Sequence, residues 1–444
     1  MEKFSWSGNI FANRSANHFL FKDFYRIQRR REHNEVYDAG GDASFVWERP
    51  KGLPEWSKLI FSTRLYYGDK NIPGSMSSRS VSKQKDFTTR QNIMLDMPFV
   101  FREDLSMEAA VSHSFSILDY TGPGSESLHK TDTVTVINRW EWFAGEKLSL
   151  QAGADYRFSY LDSDNIGVKT GHDGGLYLTA GYSPVRELLI TPSVKVVFAG
   201  GDAGAVIPVP KLGVVWNASD RLTVKNNWYR SFKYPSFNDL YWAGDATARG
   251  NPDLKPEDGF GADLGTELTF EKLLSLQGTL YASWVRDSIH WRSSAGVWQP
   301  VNIGEALFFG FDTRIQSGFS ERIILSLSYQ FLLTRILTGD LTFASGIQMP
   351  YQPMHTAGVS VEIPWKTGNL TVSGHFESSR YTEALNVVKL DPFFILNISV
   401  NQSIGRHFTI FSVLKNALNT SYVSVQDYPM PGLSLTVGVR AAFE

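Results

Sequence analysis

A two-residue rhythm of side chains runs through almost the whole chain and limits its fold more than any other feature. In "LSLQAGADYRFSY" the residues Leu148, Leu150, Ala152, Ala154, Tyr156, Phe158 and Tyr160 are apolar or aromatic, while Ser149, Gln151, Asp155, Arg157 and Ser159 between them are polar or charged. "RIILSLSYQFLL" sets Ile323, Leu325, Leu327, Tyr329 and Phe331 against Ser326, Ser328 and Gln330, and "LSLTVGVRAAF" repeats the pattern near the end. Successive side chains of a strand point to opposite faces, so each segment has one oily and one wet face. About 20 such segments, spaced ~22 residues apart, are expected. Their connections alternate between short (144–147, 183–187, 217–220, 403–407) and long (69–85, 119–130, 161–172, 234–257, 336–352, 415–431).

Sandwiches and propellers share the rhythm. A propeller would show a blade repeat of ~40–45 residues, which is absent here. A sandwich covers its apolar face with a second sheet and has no reason to alternate short and long loops. Aromatic residues make up 14% of the chain, with 12 Trp. Trp140, Trp142, Tyr160, Tyr182, Trp228, Tyr229, Trp284, Trp291 and Tyr381 fall near strand ends, as in the aromatic girdles at bilayer interfaces. The expected fold is therefore all-β, a transmembrane antiparallel β-barrel with short periplasmic turns and long extracellular loops. Closure would remove the strand edges that so large a sheet exposes.

Composition removes other classes. No apolar run approaches the ~18 residues of a membrane helix. A net charge of -2 gives no bulk attraction to nucleic acid, and the absence of Cys excludes disulfides, thiolate metal sites and a Cys nucleophile. The opening "MEKFSWSGNIFANRS" lacks a continuous apolar core and a small-residue cleavage site, so it reads as a processed chain or an internal start rather than a signal peptide.

One segment breaks the rhythm. "RSFKYPSFNDLYWAGDATARGNPDLKPEDGFGADLGTEL" is stiffened by Pro235, Pro252 and Pro256 and dense in aromatics. Proline fixes φ and removes an N–H, so a loop outside the membrane can hold shape without a ladder. Tyr234, Phe237, Tyr241 and Trp242 are expected to cluster and anchor it. The segment resembles the signature of TonB-dependent outer-membrane receptors in Arg230, Phe232, Pro235, Phe237, Leu240, Tyr241, Gly250, Asn251, Pro252, Leu254, Pro256, Glu257 and Gly265. "RDSIHWRSSAGVWQPVNIGEALFFGFDTRIQ", with Asn302 and Gly310, resembles the family's next hairpin. "LKNALNTSYVSVQDYPMPGLSLTVGVRAAF" is similar to its closing loop and final strand, and "YYGDKNIPGS" to an earlier loop.

The resemblance implies a receptor in the bacterial outer membrane, in contact with outer-membrane lipid and a small nutrient ligand. It implies a 22-strand barrel of which about 20 strands are visible, with an N-terminal plug and a TonB box that are not found in this sequence. The 444 residues are thus expected to form one barrel domain that lacks the plug and the first hairpin. A plug and the TonB system would act only if supplied by a further N-terminal region or by another chain. Final Phe is typical of such barrels, whereas here Phe443 is followed by Glu444. The size suits compact vitamin B12 receptors better than the larger siderophore receptors. The family's haem receptors carry a His within the signature, and residues 231–257 contain none.

On this reading Tyr234, Phe237, Tyr241, Trp242, Arg249 and Asn251 are ligand-binding candidates, and Pro235, Pro252, Leu254, Pro256 and Glu257 are structural. Alternation puts Arg139, Glu141, Asp155, Arg157 and Arg440 on the wet, lumenal face. Calcium is weakly suggested by "DSDNIGVKTGHD", where Asp162, Asp164 and Asp173 take positions 1, 3 and 12 of an EF-like loop, but Ile166 occupies position 5. No cofactor is implied. Arg26, Arg29, Arg30 and Arg31 form a basic run that attracts anions or is simply solvated. No G-x-S-x-G, HExxH or metal-type His pair is present, so no catalytic residue is assigned; His172–Asp173 and His375 with Glu377 are the pairs that an acid–base reading would use. The principal reading is a receptor barrel for TonB-dependent uptake of a scarce cobalamin-like or siderophore-like nutrient. A plugless passive pore and a surface adhesion barrel are the alternatives.

Overall fold

A computed structural model describes residues 2–23, 25–76, 81–200, 205–242, 248–270, 273–294, 297–320, 323–338, 346–383 and 385–441. Residues 243–247 of the signature, much of the 336–352 connection and the terminal Phe443 lie outside the described residues. Twenty strands form one sheet. In chain order they are Lys3–Ser15, Val36–Glu48, Lys58–Pro73, Val81–Met97, Leu105–Gly122, Ser125–Phe143, Leu148–Ser163, Lys169–Val185, Leu188–Gly200 and Ala205–Asn217. Then follow Leu222–Lys233, Glu257–Phe270, Leu274–Ser294, Val297–Ser320, Ile323–Ile336, His355–Trp365, Gly368–Glu377, Phe393–Ile404, Phe408–Lys415 and Ser434–Ala441. Each pairs antiparallel with the next in sequence, an up-and-down meander. Among the described residues the first strand, Lys3–Ser15, and the last, Ser434–Ala441, are each paired on one side, and both are largely exposed.

The rhythm becomes two faces through the register. The pairings Leu148↔Tyr182, Ala152↔Leu178, Ala154↔Leu176 and Tyr156↔Gly174 put one apolar row on one side of the sheet. Leu176 is 61% and Leu178 53% exposed. Leu264, Leu280, Phe309, Leu327, Val359 and Ile410 continue this exposed apolar band along the sheet. A soluble domain rarely exposes so much contiguous apolar surface; here it is the lipid-facing band of a barrel. The core of fully buried side chains is correspondingly small, with Ile303, Ala306, Ile336 and Met349 packed together near one end of the Val297–Ser320 and Ile323–Ile336 pair.

The strands run beyond the bilayer, which corrects the expected loop lengths. A spanning strand needs ~9–11 residues, whereas Leu274–Ser294 has 21 and Val297–Ser320 has 24. The connection expected over 119–130 is a hairpin in which Gly122 pairs with Ser125, so only Pro123 and Gly124 turn the chain. Gly124 sits at φ +73 and proline presets its own φ, which suits a tight reversal. Likewise 161–172 narrows to the five residues between Ser163 and Lys169. Three girdle assignments also change. Tyr229 is on the polar face, its ring against Gly261, where an added Cβ would lie 2.5 Å from the ring. Trp291 stands in an extracellular hairpin, and Tyr381 in the two-residue strand Arg380–Tyr381. Structure that extends beyond the membrane carries Trp291 and Tyr381 past the interface, whereas Tyr229 changes by face.

The two-faced arrangement fixes the sign of a substitution. Leu178→Arg, mid-strand on the oily face, is expected to lower folding stability in lipid by about 2–4 kcal/mol. Urea titration of the refolded barrel in vesicles measures it; an unchanged midpoint would put Leu178 on the wet face.

Candidate functional site

The signature segment folds into a compact plate rather than a simple loop. Its first part is a one-turn helix, Phe237–Tyr241. Ser236 caps it: its hydroxyl oxygen accepts from the Asp239 N–H at 3.2 Å, and the Asp239 carboxylate accepts from the Ser236 N–H at 3.0 Å. This reciprocal capping box satisfies two orphan donors at the helix start. The second part is pinned to the hairpin of strands Leu274–Ser294 and Val297–Ser320. Asn251 donates through Nδ2 to the Pro300 carbonyl at 3.0 Å and accepts the Asp253 N–H through Oδ1 at 3.1 Å. Asn302 accepts the Lys255 N–H at 2.8 Å and donates to the Lys255 and Asp287 carbonyls at 2.9 and 2.6 Å. Glu257 accepts the Ile289 N–H at 2.7 Å and pairs with Lys233 at 3.5 Å. Leu254 is buried beneath. At Gly250 a Cβ would lie 2.6 Å from the Trp242 nitrogen and 2.8 Å from the Leu240 carbonyl oxygen, so only glycine fits.

The helix reaches sideways onto a different part of the wall. Lys169 Nζ sits 4.3 Å from the Tyr241 ring centroid, a cation–π contact. Trp242 stacks near His129, ring centroids 6.2 Å apart, and the Phe237 ring occupies the space a Cβ at Gly171 would take. Phe237 and Tyr241 pair at 6.4 Å, but Tyr234 packs edge-on against Phe232 at 4.8 Å. The four aromatics therefore form separate contacts instead of one cluster. Between helix and wall lies a cleft of about 760 Å³, bounded by Ser116, Leu118, Tyr120, Ser125, Ser127, His129, Thr131, Leu161, Ser236, Phe237, Asn238 and Trp242. The wall residues Ser127, His129 and Thr131 pair with Tyr120, Leu118 and Ser116, on the polar face of the sheet.

Asp239 holds the plate electrostatically. Burial pushes its carboxyl upward, but hydrogen bonds from the Ser236 hydroxyl, the Ser236 N–H and the Trp291 indole outweigh this and leave its pKa below the ordinary value. A carboxyl with a depressed folded-state pKa stabilises above its unfolded pKa and loses that contribution as pH falls through the folded value.

Other sequence candidates are placed as follows. Arg139 pairs with Glu108 at 2.6 Å, Asp155 with Lys195 at 2.6 Å and Arg157 with Asp173 at 2.7 Å. Glu141 accepts from Gln151 at 3.0 Å, and the Arg440 guanidinium stands 5.9 Å from the Phe411 ring. All lie opposite the exposed apolar band by register. The EF-like window is not a loop: Asp162 ends one strand, Asp173 lies within the next, and Asp164 accepts the Leu128 N–H at 3.2 Å. Among the described residues no group of three or more His, Cys, Asp or Glu side chains gathers to hold a metal. The basic run is dispersed. Arg29 binds Asp23, Arg30 reaches His18, and buried Arg31 donates to the Pro73 carbonyl. Nearby Glu35 is held down to about 2, first by the Asn71 amide, next by its own backbone N–H and then by His18. His172 and Asp173, adjacent in sequence, project to opposite faces; His172 meets Tyr156 on the oily side. His375 and Glu377 do meet, at 3.1 Å, with Arg380 at 3.4 Å from the same carboxylate.

One 20-strand antiparallel sheet with a polar face, an oily face and the signature plate beside the polar wall defines an outer-membrane β-barrel. The chain belongs to the TonB-dependent receptor-like β-barrel family, whose model matches residues 4–417. It is 26% identical over 312 residues to the vitamin B12 transporter BtuB of Photobacterium profundum, covering 67% of this chain and 48% of that protein. It is 26% identical over 200 residues to BtuB of Vibrio vulnificus, covering 44% and 31%. The chain thus spans about half the length, or less, of the curated relatives it matches. In fold it is similar to the siderophore receptor PiuA from Acinetobacter baumannii (TM-score 0.77, 12% identity, 99% of this chain and 81% of that one). It is also similar to the FrpB iron transporter from Neisseria meningitidis (TM-score 0.80, 12% identity, 98% and 76%).

Two measurements check the plate. Asn302→Ala strips one donor and two carbonyls of their partner, a local cost of about 1–3 kcal/mol; the Lys255 amide is expected to exchange faster at fixed pH while the barrel stays folded, and unchanged exchange would show that Asn302 holds nothing. Acidification from pH 6 to below the ordinary carboxyl value of 3.8 should lower the protection of the 236–242 amides relative to their intrinsic exchange rates, and Asp239→Asn should flatten that response.

Proposed function

We propose that this chain is the barrel of a TonB-dependent uptake receptor for a scarce small nutrient, with a cobalamin-like compound as the cargo. The observation that carries the reading is the cleft between the signature plate and the polar wall. Its volume of about 760 Å³ lies within the ~300–1,000 Å³ of small-molecule sites, and its lining mixes aromatic and hydroxyl groups. Phe237 and Trp242 face it and are the proposed contacts, while Tyr241 packs on Lys169, Tyr234 on Phe232, and Arg249 reaches Gln299 at 3.5 Å, outside the cleft lining. Asn251, with Pro235, Pro252, Leu254, Pro256 and Glu257, serves by holding the plate in shape. Arg139, Glu141, Asp155, Arg157 and Arg440 line the lumen below.

A plug and its coupling to TonB are part of this reading only as contributions from another segment or another chain. The two open edges, Lys3–Ser15 and Ser434–Ala441, support two further strands between them. The charge-rich polar face, hydrated and ion-paired, equally favours a passive pore as the second reading.

Titration of the purified chain with cyanocobalamin, followed by Trp fluorescence, tests the cargo. Binding that weakens roughly tenfold in Trp242→Ala is expected. Binding of a ferric siderophore in its place would correct the cargo, and conductance in planar bilayers with neither ligand bound would favour the pore.

A further inference from the structure

One stretch of the lipid-facing surface carries charge just above the apolar band. On the Leu274–Ser294 strand the outward row reads Leu276, Gly278, Leu280, Ala282, Trp284 and then Arg286. From Leu274 to Arg286 the tilted strand climbs about 30 Å, a little more than the ~25 Å apolar band of such barrels. Arg286 therefore stands at the level of the outer-leaflet headgroups. The register surrounds it with like chemistry. Arg230, Phe260, Trp284, Leu307 and Arg335 lie in one row across neighbouring strands, and Asp258, Arg286 and Glu305 in the row above.

The hydrogen bonds orient this cluster outward. Asp258 accepts from Arg230 Nε and Nη2 at 2.8 and 3.1 Å and from Arg286 Nη2 at 2.7 Å. Arg230 also donates through Nη1 to the Pro208 carbonyl, and Glu305 accepts the Trp284 indole N–H. The Asp258 side chain is 15% exposed, against 44% for Arg286. The carboxylate is thus covered while the guanidinium faces out. Arg286 stands 5.2 Å from the Trp284 ring and Arg230 5.7 Å from Phe260, so both cations sit on an aromatic floor. Three arginines against two carboxylates leave a surplus of positive charge beside the membrane, and a guanidinium fork matches the geometry of a phosphate.

We propose that Arg286, flanked by Arg230 and Arg335, binds the phosphate of an outer-leaflet glycolipid whose acyl chains lie against Phe260 and Trp284. Asp258 is a positioning residue that holds two of the guanidinium groups in place. The site lies on the opposite face of the sheet from the cleft and does not depend on the cargo.

Native mass spectrometry of the full chain, folded in detergent with diphosphorylated lipid A or its phosphate-free counterpart, tests this. The wild-type chain is expected to retain the phosphorylated lipid at least about tenfold better, and Arg286→Gln to lose that preference. Arg286→Lys should recover part of it, because a point charge replaces the fork. Equal retention of both lipids by the wild-type chain would overturn the proposal, as would full preference in a folded Arg286→Gln. If that variant does not fold, the wild-type comparison decides alone.

Discussion

Hydrocarbon offers no partner to a backbone N–H or C=O, and the rest of the structure follows from this. Peptide groups inside the bilayer need partners on another strand, and among the described residues each strand of the sheet is bonded to its neighbour in sequence, with one free edge on the first and last strands. Once pairing is compulsory, side chains only choose faces. Leu176, Leu178 and Leu264 go to lipid, and Asp155, Arg157 and Asp173 go to the interior, where they pair with cations or acids. An inward charge is tolerable because water and an opposite charge are at hand; the same group mid-band on the oily face would have neither.

Outside the bilayer the obligation relaxes but does not vanish. The described part of the signature segment has no ladder of its own, and its prolines remove donors, yet side chains satisfy several of its backbone groups one by one. Asn251, Asn302 and Glu257 substitute for strand partners, and Ser236 with Asp239 substitutes for a preceding helical turn. The result is a plate hydrogen-bonded to the Leu274–Ser294 side and in ring contact with the Ser125–Phe143 side.

Much of this was legible in the sequence. Period two identified the strands, and the prolines with Gly250 and Asn251 located the plate. What escaped has physical causes. Above the membrane alternation persists among polar residues, so "GPGSES" reads as a loop although it is the tip of a tall hairpin. Ser236 and Asp239 were readable as a capping box but were hidden by the surrounding prolines. His129, Lys169 and Gly171, which receive the helix, sit far along the chain and carry no local signal. Only the curvature of the sheet brings them to Trp242, Tyr241 and Phe237. Arg230, Arg286 and Asp258 escaped for a similar reason: they meet only once three strands are in register.

The central claim is that the signature plate lies against the polar face of strands Ser125–Phe143 and Lys169–Val185 and encloses the cleft there. Because the chain has no Cys, thiols placed at Ser127 and Asn238 report on that directly. A short thiol-specific crosslinker, applied to cells displaying the barrel, should join them in good yield and leave either single variant unlinked. Failure to crosslink in a folded barrel, with each thiol separately reactive, would mean that the plate stands away from the wall and that there is no cleft.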